Sequence, residues 1–160
     1  MTVGEPHVRP ATAVEIEADW REFTGGPPAV GALREYEPED VEGIVWRDEA
    51  TGRSGVVTWW VDGKGAEIVS VHAEPQGSGA GTRIMDAAEE ELRRRGAKTV
   101  VLATTNDNAR ALNFYIKRGY RLVRLHIDAM DRVRARKPGV PSTGHDGVPL
   151  RDMWELEKVL

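Results

Sequence analysis

The chain has 160 residues, with 22 basic and 26 acidic side chains, a formal net charge of -4 and no cysteine. That length suffices for one domain, residues 1–160, whose core needs no disulfides, and the negative balance argues against a nucleic-acid binder, which usually carries a basic face. No apolar leader follows Met1 and no apolar run approaches the ~20 residues of a membrane span, so we expect a cytoplasmic protein without a membrane partner.

The first 40 residues predict one element, a short helix within residues 10–23 that two glycines and two prolines end. Three runs rich in Val, Ile and Trp follow at residues 41–46, 55–61 and 66–72. Turn residues separate these runs, so they predict an antiparallel meander of three strands.

A glycine-rich turn at residues 76–82 follows the third strand and precedes a helical pattern at residues 83–95. Its three glycines let the backbone approach a ligand closely, and the helix start presents unpaired N–H groups. An anion is the expected ligand, although a tight strand-to-helix connection would use similar residues. The turn has neither the lysine of a P-loop nor the third glycine of a dinucleotide fingerprint. The candidate binding residues are Gln76, Gly77, Ser78, Gly79, Ala80, Gly81 and Thr82.

The second half of the chain alternates between strands and helices. Residues 99–104 predict a buried strand, and a helix capped by Asn106 or Asn108 then runs to a left-handed C-terminal position at Gly119. The remaining predicted elements are a strand at 120–127, an excursion at 126–153 that includes a short helix, and a strand at 154–160. This order predicts a mixed α/β sandwich around a central sheet.

Two motifs resemble the signatures of the GCN5-related N-acetyltransferase (GNAT) superfamily, which uses acetyl-coenzyme A. The spacing of Gln76, Gly79 and Gly81 resembles its pyrophosphate-binding signature. Residues 108–115, closed by Gly119-Tyr120 where the family usually has Gly-Phe, resemble a second signature. The resemblance covers residues 41–125 well and the first 40 residues poorly, where family members often build the acceptor pocket. It implies an α/β (α+β) GNAT-like three-layer fold, in which a mixed, mostly antiparallel twisted sheet is flanked by helices and splayed strands form the acyl-CoA cleft.

The resemblance also implies an activity. The expected enzyme moves an acetyl group from acetyl-CoA, its co-substrate, to a small-molecule or peptide amine by direct attack in a ternary complex, without a metal. The acceptor and the length of the acyl group stay open. Family members are often dimers, so a homodimer is among the expectations. The alternative is a non-catalytic acyl-CoA sensor or interaction module with the same fold.

Glu67 is the favoured base, because an amine with a pKa near 10.4 is almost wholly protonated at pH 7. In the histone-acetylating branch of the family, a Glu in a similar strand context serves as base through water. Strand alternation places Glu67 and Val71 on one face and Ser70 and His72 on the other. His72 has a suitable intrinsic pKa but lies at the strand end. A strand carboxylate paired with a nearby Arg is the simpler alternative for Glu67.

The family resemblance implies roles for four more residues. Main-chain groups of Val71 and Ala73 would pair with the pantetheine arm, and the Val71 N–H would polarise the thioester carbonyl. Asn108 and Tyr115 are seven residues apart, nearly two helical turns, and therefore share a helix face. Asn108 would bind the pantetheine amides and Tyr115 would protonate the departing thiolate.

Residues 132–137 form the one local basic run of the sequence, Arg132, Arg134, Arg136 and Lys137. A solvated helix face is the simplest interpretation of such a run. A carboxylate-bearing acceptor, the 3′-phosphate of the coenzyme and a partner subunit are alternative contacts for it.

Overall fold

The structure, a computed structural model, describes residues 6–160. In chain order its elements are β1 (His7–Pro10), α1 (Ala13–Phe23), β2 (Ala29–Val30), β3 (Glu35–Tyr36), β4 (Glu42–Asp48), β5 (Arg53–Asp62), β6 (Gly65–Glu74), α2 (Ala80–Arg94), β7 (Thr99–Thr105), α3 (Ala109–Lys117), β8 (Arg121–His126), α4 (Ala129–Arg136) and β9 (Met153–Val159). Short 3-10 turns lie at Pro38–Asp40 and His145–Gly147.

Seven strands form one sheet in the order β1-β4-β5-β6-β7-β9-β8, and β2 pairs with β3 in a separate hairpin. All neighbours in the large sheet are antiparallel except β6 and β7, which are parallel. The predicted α/β fold with a mixed, mostly antiparallel sheet is therefore confirmed. The sequence did not predict β1 or the hairpin. The side chains of β1 are all exposed, so no apolar alternation marks it, and β2 and β3 have two residues each.

Helices cover both faces of the sheet and make three layers. On one face α2 packs its apolar stripe, Ile84, Met85, Ala88 and Leu92, against the strands. On the other face α1 and α4 form two smaller clusters, one around Ile16 and Trp20 and one around Met130 and Val133. Full burial of each large apolar side chain contributes about 1.5–3 kcal/mol. Among residues 6–160, none of the helices has the length and hydropathy that a membrane-spanning segment requires.

The parallel pair β6 and β7 separates along its length. The two strands are in register only from Gly65 opposite Thr99 to Ile68 opposite Leu102. β6 then continues to Glu74 and β7 to Thr105, so the predicted splay is present. Backbone groups on the facing edges of these ends are left for other partners.

A β-bulge in β6 coincides with the start of the splay. Thr58 of β5 lies opposite Ser70 and the adjacent Trp59 lies opposite Ile68, so Val69 is the extra residue. A bulge changes the phase of the side chains that follow it. Consequently Glu67 and His72 lie on the α1 face, whereas Val71 packs into the core under α2. The predicted alternation, which put Glu67 and Val71 on one face, is wrong for this reason.

Gly31, in the loop between β2 and β3, is expected to be essential for stability. A Cβ added at Gly31 would lie 2.2 Å from Oε1 of Glu67 and 2.8 Å from a ring carbon of Tyr36, and both side chains are fully buried. We expect Gly31→Ala to lower the free energy of unfolding by about 1–3 kcal/mol and the Tm by about 2–10 °C in calorimetry. Gly139→Ala is the control, because the described residues leave open space around its Cβ position. Equal Tm values for the two variants would contradict this packing.

Candidate active site

A cavity of about 850 Å³ occupies the cleft between the splayed ends of β6 and β7. One wall is formed by β6 and β7 themselves and by one side of α3. The opposite wall is formed by the C-terminal end of α1, by α4 and by the loop that follows α4. The volume falls in the range of small-molecule and cofactor sites. Part of this wall thus comes from the first 40 residues, the part of the chain that resembles the family poorly.

The glycine turn has the backbone geometry of an anion site. Gly77 and Gly79 have φ angles of +74° and +85°, which side-chain-bearing residues rarely adopt. The turn leads directly into α2 at Ala80, and the first turn of α2 contains no acidic residue. The first N–H groups of a helix have no intrahelical carbonyl partner, and the helix dipole favours negative charge there. Binding of an anion by residues 76–82 stays a prediction that this geometry supports.

Two arginines, Arg53 and Arg110, approach the turn from other elements. Nη1 of Arg53 donates to the Ser78 carbonyl oxygen at 3.2 Å, and Nη1 of Arg110 donates to Oε1 of Gln76 at 2.8 Å. Neither arginine is among the candidate binding residues that the sequence patterns indicate. The pairing of β5 with β6 brings Arg53 beside the turn, which no local pattern reveals. Arg110 lies inside the second family-like motif, and this position is the feature of the sequence that could have indicated a binding role for it.

Asn108 and Tyr115 both line the cavity from α3, as their spacing predicts. Oδ1 of Asn108 caps the helix by accepting from the Ala111 N–H at 3.0 Å, which leaves the amide NH₂ group for another contact. The Tyr115 ring packs edge-on against Phe114 and Tyr120. Burial raises the pKa of Tyr115 to about 12, so its hydroxyl stays protonated at neutral pH.

Glu67 lies away from the cavity surface. It is fully buried and is not among the residues that line the cavity. Its carboxylate accepts from the N–H of Ala32 at 2.5 Å, the N–H of Leu33 at 3.1 Å and the hydroxyl of Tyr36 at 2.6 Å. Burial raises its pKa, and these hydrogen bonds act in the opposite direction. The structure thus gives Glu67 a role in holding the β2–β3 loop, and its role as a base stays a prediction.

His72 lies in the cavity wall and is held on two sides. Its Nδ1 lies 2.6 Å from Oδ2 of Asp19, and its ring stacks on Phe23 with centroids 4.4 Å apart. A carboxylate can only accept, so this contact places the proton of a neutral imidazole on Nδ1. Nε2 is then an acceptor. This is the arrangement of a general base oriented by a carboxylate, and it depends on a contact 53 residues away in sequence.

Val71 also lines the cavity, whereas the Ala73 side chain packs into the core cluster beneath α2. Both residues lie in the part of β6 beyond its pairing with β7. The interaction of their main-chain groups with a ligand stays a prediction.

The chain is similar to acetyltransferases in sequence. The sequence model of the "Acetyltransferase (GNAT) family" matches residues 11–120. The Bacillus subtilis (strain 168) protein YxbD is 34% identical over 145 residues, which cover 91% of each chain. N-alpha-acetyltransferase 30 of Schizosaccharomyces pombe is 31% identical over 71 residues, 42% of this chain and 47% of that one.

Two solved structures show the same fold at low sequence identity. The IAA acetyltransferase from Bacillus cereus superposes with a TM-score of 0.76 at 18% identity, covering 98% of this chain and 100% of that one. A GNAT family acetyltransferase from Elizabethkingia anophelis, with acetyl-CoA bound, has a TM-score of 0.70 at 16% identity. The match covers 97% of this chain and 98% of that one.

The Tyr36 hydroxyl is predicted to stabilise the fold through Glu67. Tyr36→Phe removes a donor to a fully buried carboxylate, so we expect it to lower the free energy of unfolding by about 1–3 kcal/mol in chemical denaturation. Tyr115→Phe is the matched control, because within residues 6–160 its hydroxyl has no protein hydrogen-bond partner, and its effect should stay within about 0.5 kcal/mol. Equal stability of the two variants would show that the Glu67 contact contributes nothing.

Proposed function

The chain belongs to the Acetyltransferase (GNAT) family, and on that basis we propose that it is a single-domain N-acetyltransferase that moves the acetyl group of acetyl-CoA to an amine. The observation that carries this proposal is the splay of β6 and β7, which opens a cavity beside a glycine turn at the start of α2. The bound acetyl-CoA of the Elizabethkingia anophelis structure supports the choice of donor. N-alpha-acetyltransferase 30 supports an amine acceptor.

In the proposed complex, the pyrophosphate of the coenzyme lies on the backbone amides of residues 76–82. Arg53 and Arg110 add two positive charges beside that turn. The pantetheine arm then extends along the unpaired edge of β6, where main-chain groups of Val71 and Ala73 satisfy its amides. The side-chain amide of Asn108 faces the arm from α3.

The reaction is a direct transfer. The amine nitrogen attacks the thioester carbonyl carbon, a C–N bond forms, and the C–S bond breaks. An acceptor that arrives as an ammonium ion loses one proton to a base before it attacks, and its nitrogen loses a second proton as the amide forms. The sulfur leaves as a thiolate that accepts one proton, so one proton is released overall. The Val71 N–H is proposed to hold the carbonyl oxygen as negative charge develops on it. Only about one lysine-like amine in two to three thousand is neutral at pH 7, so a base accelerates this step.

We assign the base to His72 in place of Glu67. His72 lines the cavity and its Nδ1 is occupied by Asp19, so Nε2 can accept a proton from the amine or from an intervening water. The Glu67 carboxylate, in contrast, is enclosed by three donors from the β2–β3 hairpin. Proton transfer requires hydrogen-bond reach, directly or through one water, and His72 meets that condition more directly.

Tyr115 is proposed to stabilise the leaving sulfur from α3. A hydroxyl with a pKa of about 12 is a weaker acid than an ordinary thiol, whose pKa is ~8.5. The phenol therefore acts mainly as a hydrogen-bond donor to the developing thiolate, and solvent completes the protonation. Its contribution to the rate should accordingly be smaller than that of the base.

Coenzyme affinity should depend on Arg110. We expect Arg110→Met to weaken coenzyme A binding in calorimetry by about tenfold to a hundredfold, because it removes a charged donor beside the pyrophosphate. Turnover with acetyl-pantetheine, which lacks the pyrophosphate, should not change. Arg121→Met, on the exposed strand β8, is the control and should bind coenzyme A as the parent does. The absence of coenzyme A binding by the parent protein at millimolar concentration would refute the proposed function.

Substitutions of the two candidate bases should separate their roles. With acetyl-CoA and a panel of amines, we expect His72→Asn to lower kcat by about 10²–10⁴ while coenzyme affinity is kept, and Tyr115→Phe to lower it by about tenfold to a few hundredfold. Glu67→Gln should lower the Tm and keep kcat within about threefold. If a folded Glu67→Gln protein has a strongly reduced kcat and His72→Asn stays active, then Glu67 and not His72 is the base. Coenzyme binding without transfer to any amine would favour a non-catalytic sensor.

A further inference from the structure

Lys137 is the most enclosed cation in the cavity wall. It follows α4, and its side chain is only 9% exposed although it lines the cavity. Burial lowers its pKa below the ordinary value, and Glu35 acts in the opposite direction. A charged side chain is rarely enclosed to this extent without a partner, because the loss of hydration is expensive. The residues around Lys137 therefore show what the cation can bind.

The protein itself supplies Lys137 with one hydrogen-bond partner. Nζ donates to the carbonyl oxygen of Thr24, the residue that ends α1, at 3.1 Å. An ammonium group has three N–H donors, so two are left. Within residues 6–160, no carboxylate oxygen lies within ion-pair distance of Nζ.

The other basic side chains of the wall each have a carboxylate neighbour. Arg136 lies 3.2 Å from Glu35, His145 lies 2.8 Å from Asp107, and His72 is held by Asp19. The carboxylates near the cavity are therefore engaged with neighbours. Among these basic groups, Lys137 is the buried one and has no carboxylate of the described residues at ion-pair distance, whereas the Arg136 side chain is exposed beside Glu35. Such a wall favours a ligand with a negative group.

The position of Lys137 points to the acceptor and not to the coenzyme. Residues 76–82, where the pyrophosphate is proposed to bind, are not among the lining residues of the cavity, whereas Lys137 is. Lys137 is connected to the proposed base through Thr24, since the preceding residue, Phe23, stacks on the His72 ring. The ammonium group and the base are thus on the same side of the cavity, at the end of α1.

Apolar side chains also line the cavity that holds these groups. Phe23, Val30, Met130, Val133 and Leu150 contribute to the lining. A ligand body that contacts these five side chains gains most if it is apolar, since a polar group would lose water there without gaining a partner from them. Resting on the proposed acetyl transfer, we infer that the acceptor is an amine with an apolar body and a carboxylate, the chemical class of apolar amino acids, and that Lys137 binds this carboxylate.

A comparison of matched acids and amides tests this inference. Each apolar amino acid is assayed beside its primary carboxamide, which keeps the amine and the body but has no negative charge, with coenzyme A release as the readout. We expect the parent protein to favour at least one acid over its amide by tenfold or more in kcat/KM. Lys137→Met should remove this preference through KM, with less than threefold change for the amide. Lys137→Arg should retain it, and Arg132→Met, an exposed member of the same basic run that does not line the cavity, should leave it unchanged.

A binding measurement keeps the inference separate from catalysis. Protein loaded with coenzyme A is titrated in a calorimeter with N-acetyl amino acids and with their amides, and tighter binding of an acid is expected. Absence of any acid preference in the parent protein, or an unchanged preference in folded Lys137→Met, overturns the inference even if transfer to amines is fast. Conversely, acid-selective binding without transfer to any amine supports the anion site and refutes the proposed transferase. The parent comparison needs no variant, so it stands if Lys137→Met fails to fold.

Discussion

The separation of β6 from β7 is the constraint on which the rest of the structure depends. Parallel strands normally satisfy each other's backbone groups along their whole length, but here the register ends at Ile68 and Leu102. The bulge at Val69 bends β6 at that point. Both strands then continue along the wall of the cavity. Backbone groups on their facing edges can form hydrogen bonds with an extended ligand there.

Buried polar contacts on the α1 face hold the separated strand in position. Trp20 donates from Nε1 to Oγ of Ser70 at 3.0 Å, and Ser70 also lies 2.6 Å from Oγ1 of Thr58. Just before the bulge, Glu67 accepts two hydrogen bonds from the β2–β3 loop and one from Tyr36 of β3. These groups are out of water, so each lost partner would be expensive. Their arrangement gives the Glu67 carboxylate a structural role in this fold.

The two ends of the cleft differ in the kind of charge that they offer. At the start of α2, backbone N–H groups and two arginines on an open turn are the proposed site for phosphates. At the end of α1, most charged groups are paired across elements and Lys137 stays available. The proposed donor and acceptor therefore meet between two cationic ends, with an apolar wall and His72 near the point of transfer.

The fold class and the order of the main elements follow from local patterns in the sequence, and the same kind of pattern predicts the donor half of the candidate site. The evidence for them is local: the strand and helix periods, the glycines at positions 77 and 79, and the spacing of Asn108 and Tyr115. Such patterns can be recognised in a sequence without knowing which residues are in contact. The other features depend on packing between segments that are distant in the chain. The bulge at Val69 reversed the faces of β6, and contacts distant in sequence paired His72 with Asp19 and set Lys137 against Thr24. Such contacts follow from how the sheet and helices pack, and no short stretch of sequence encodes them.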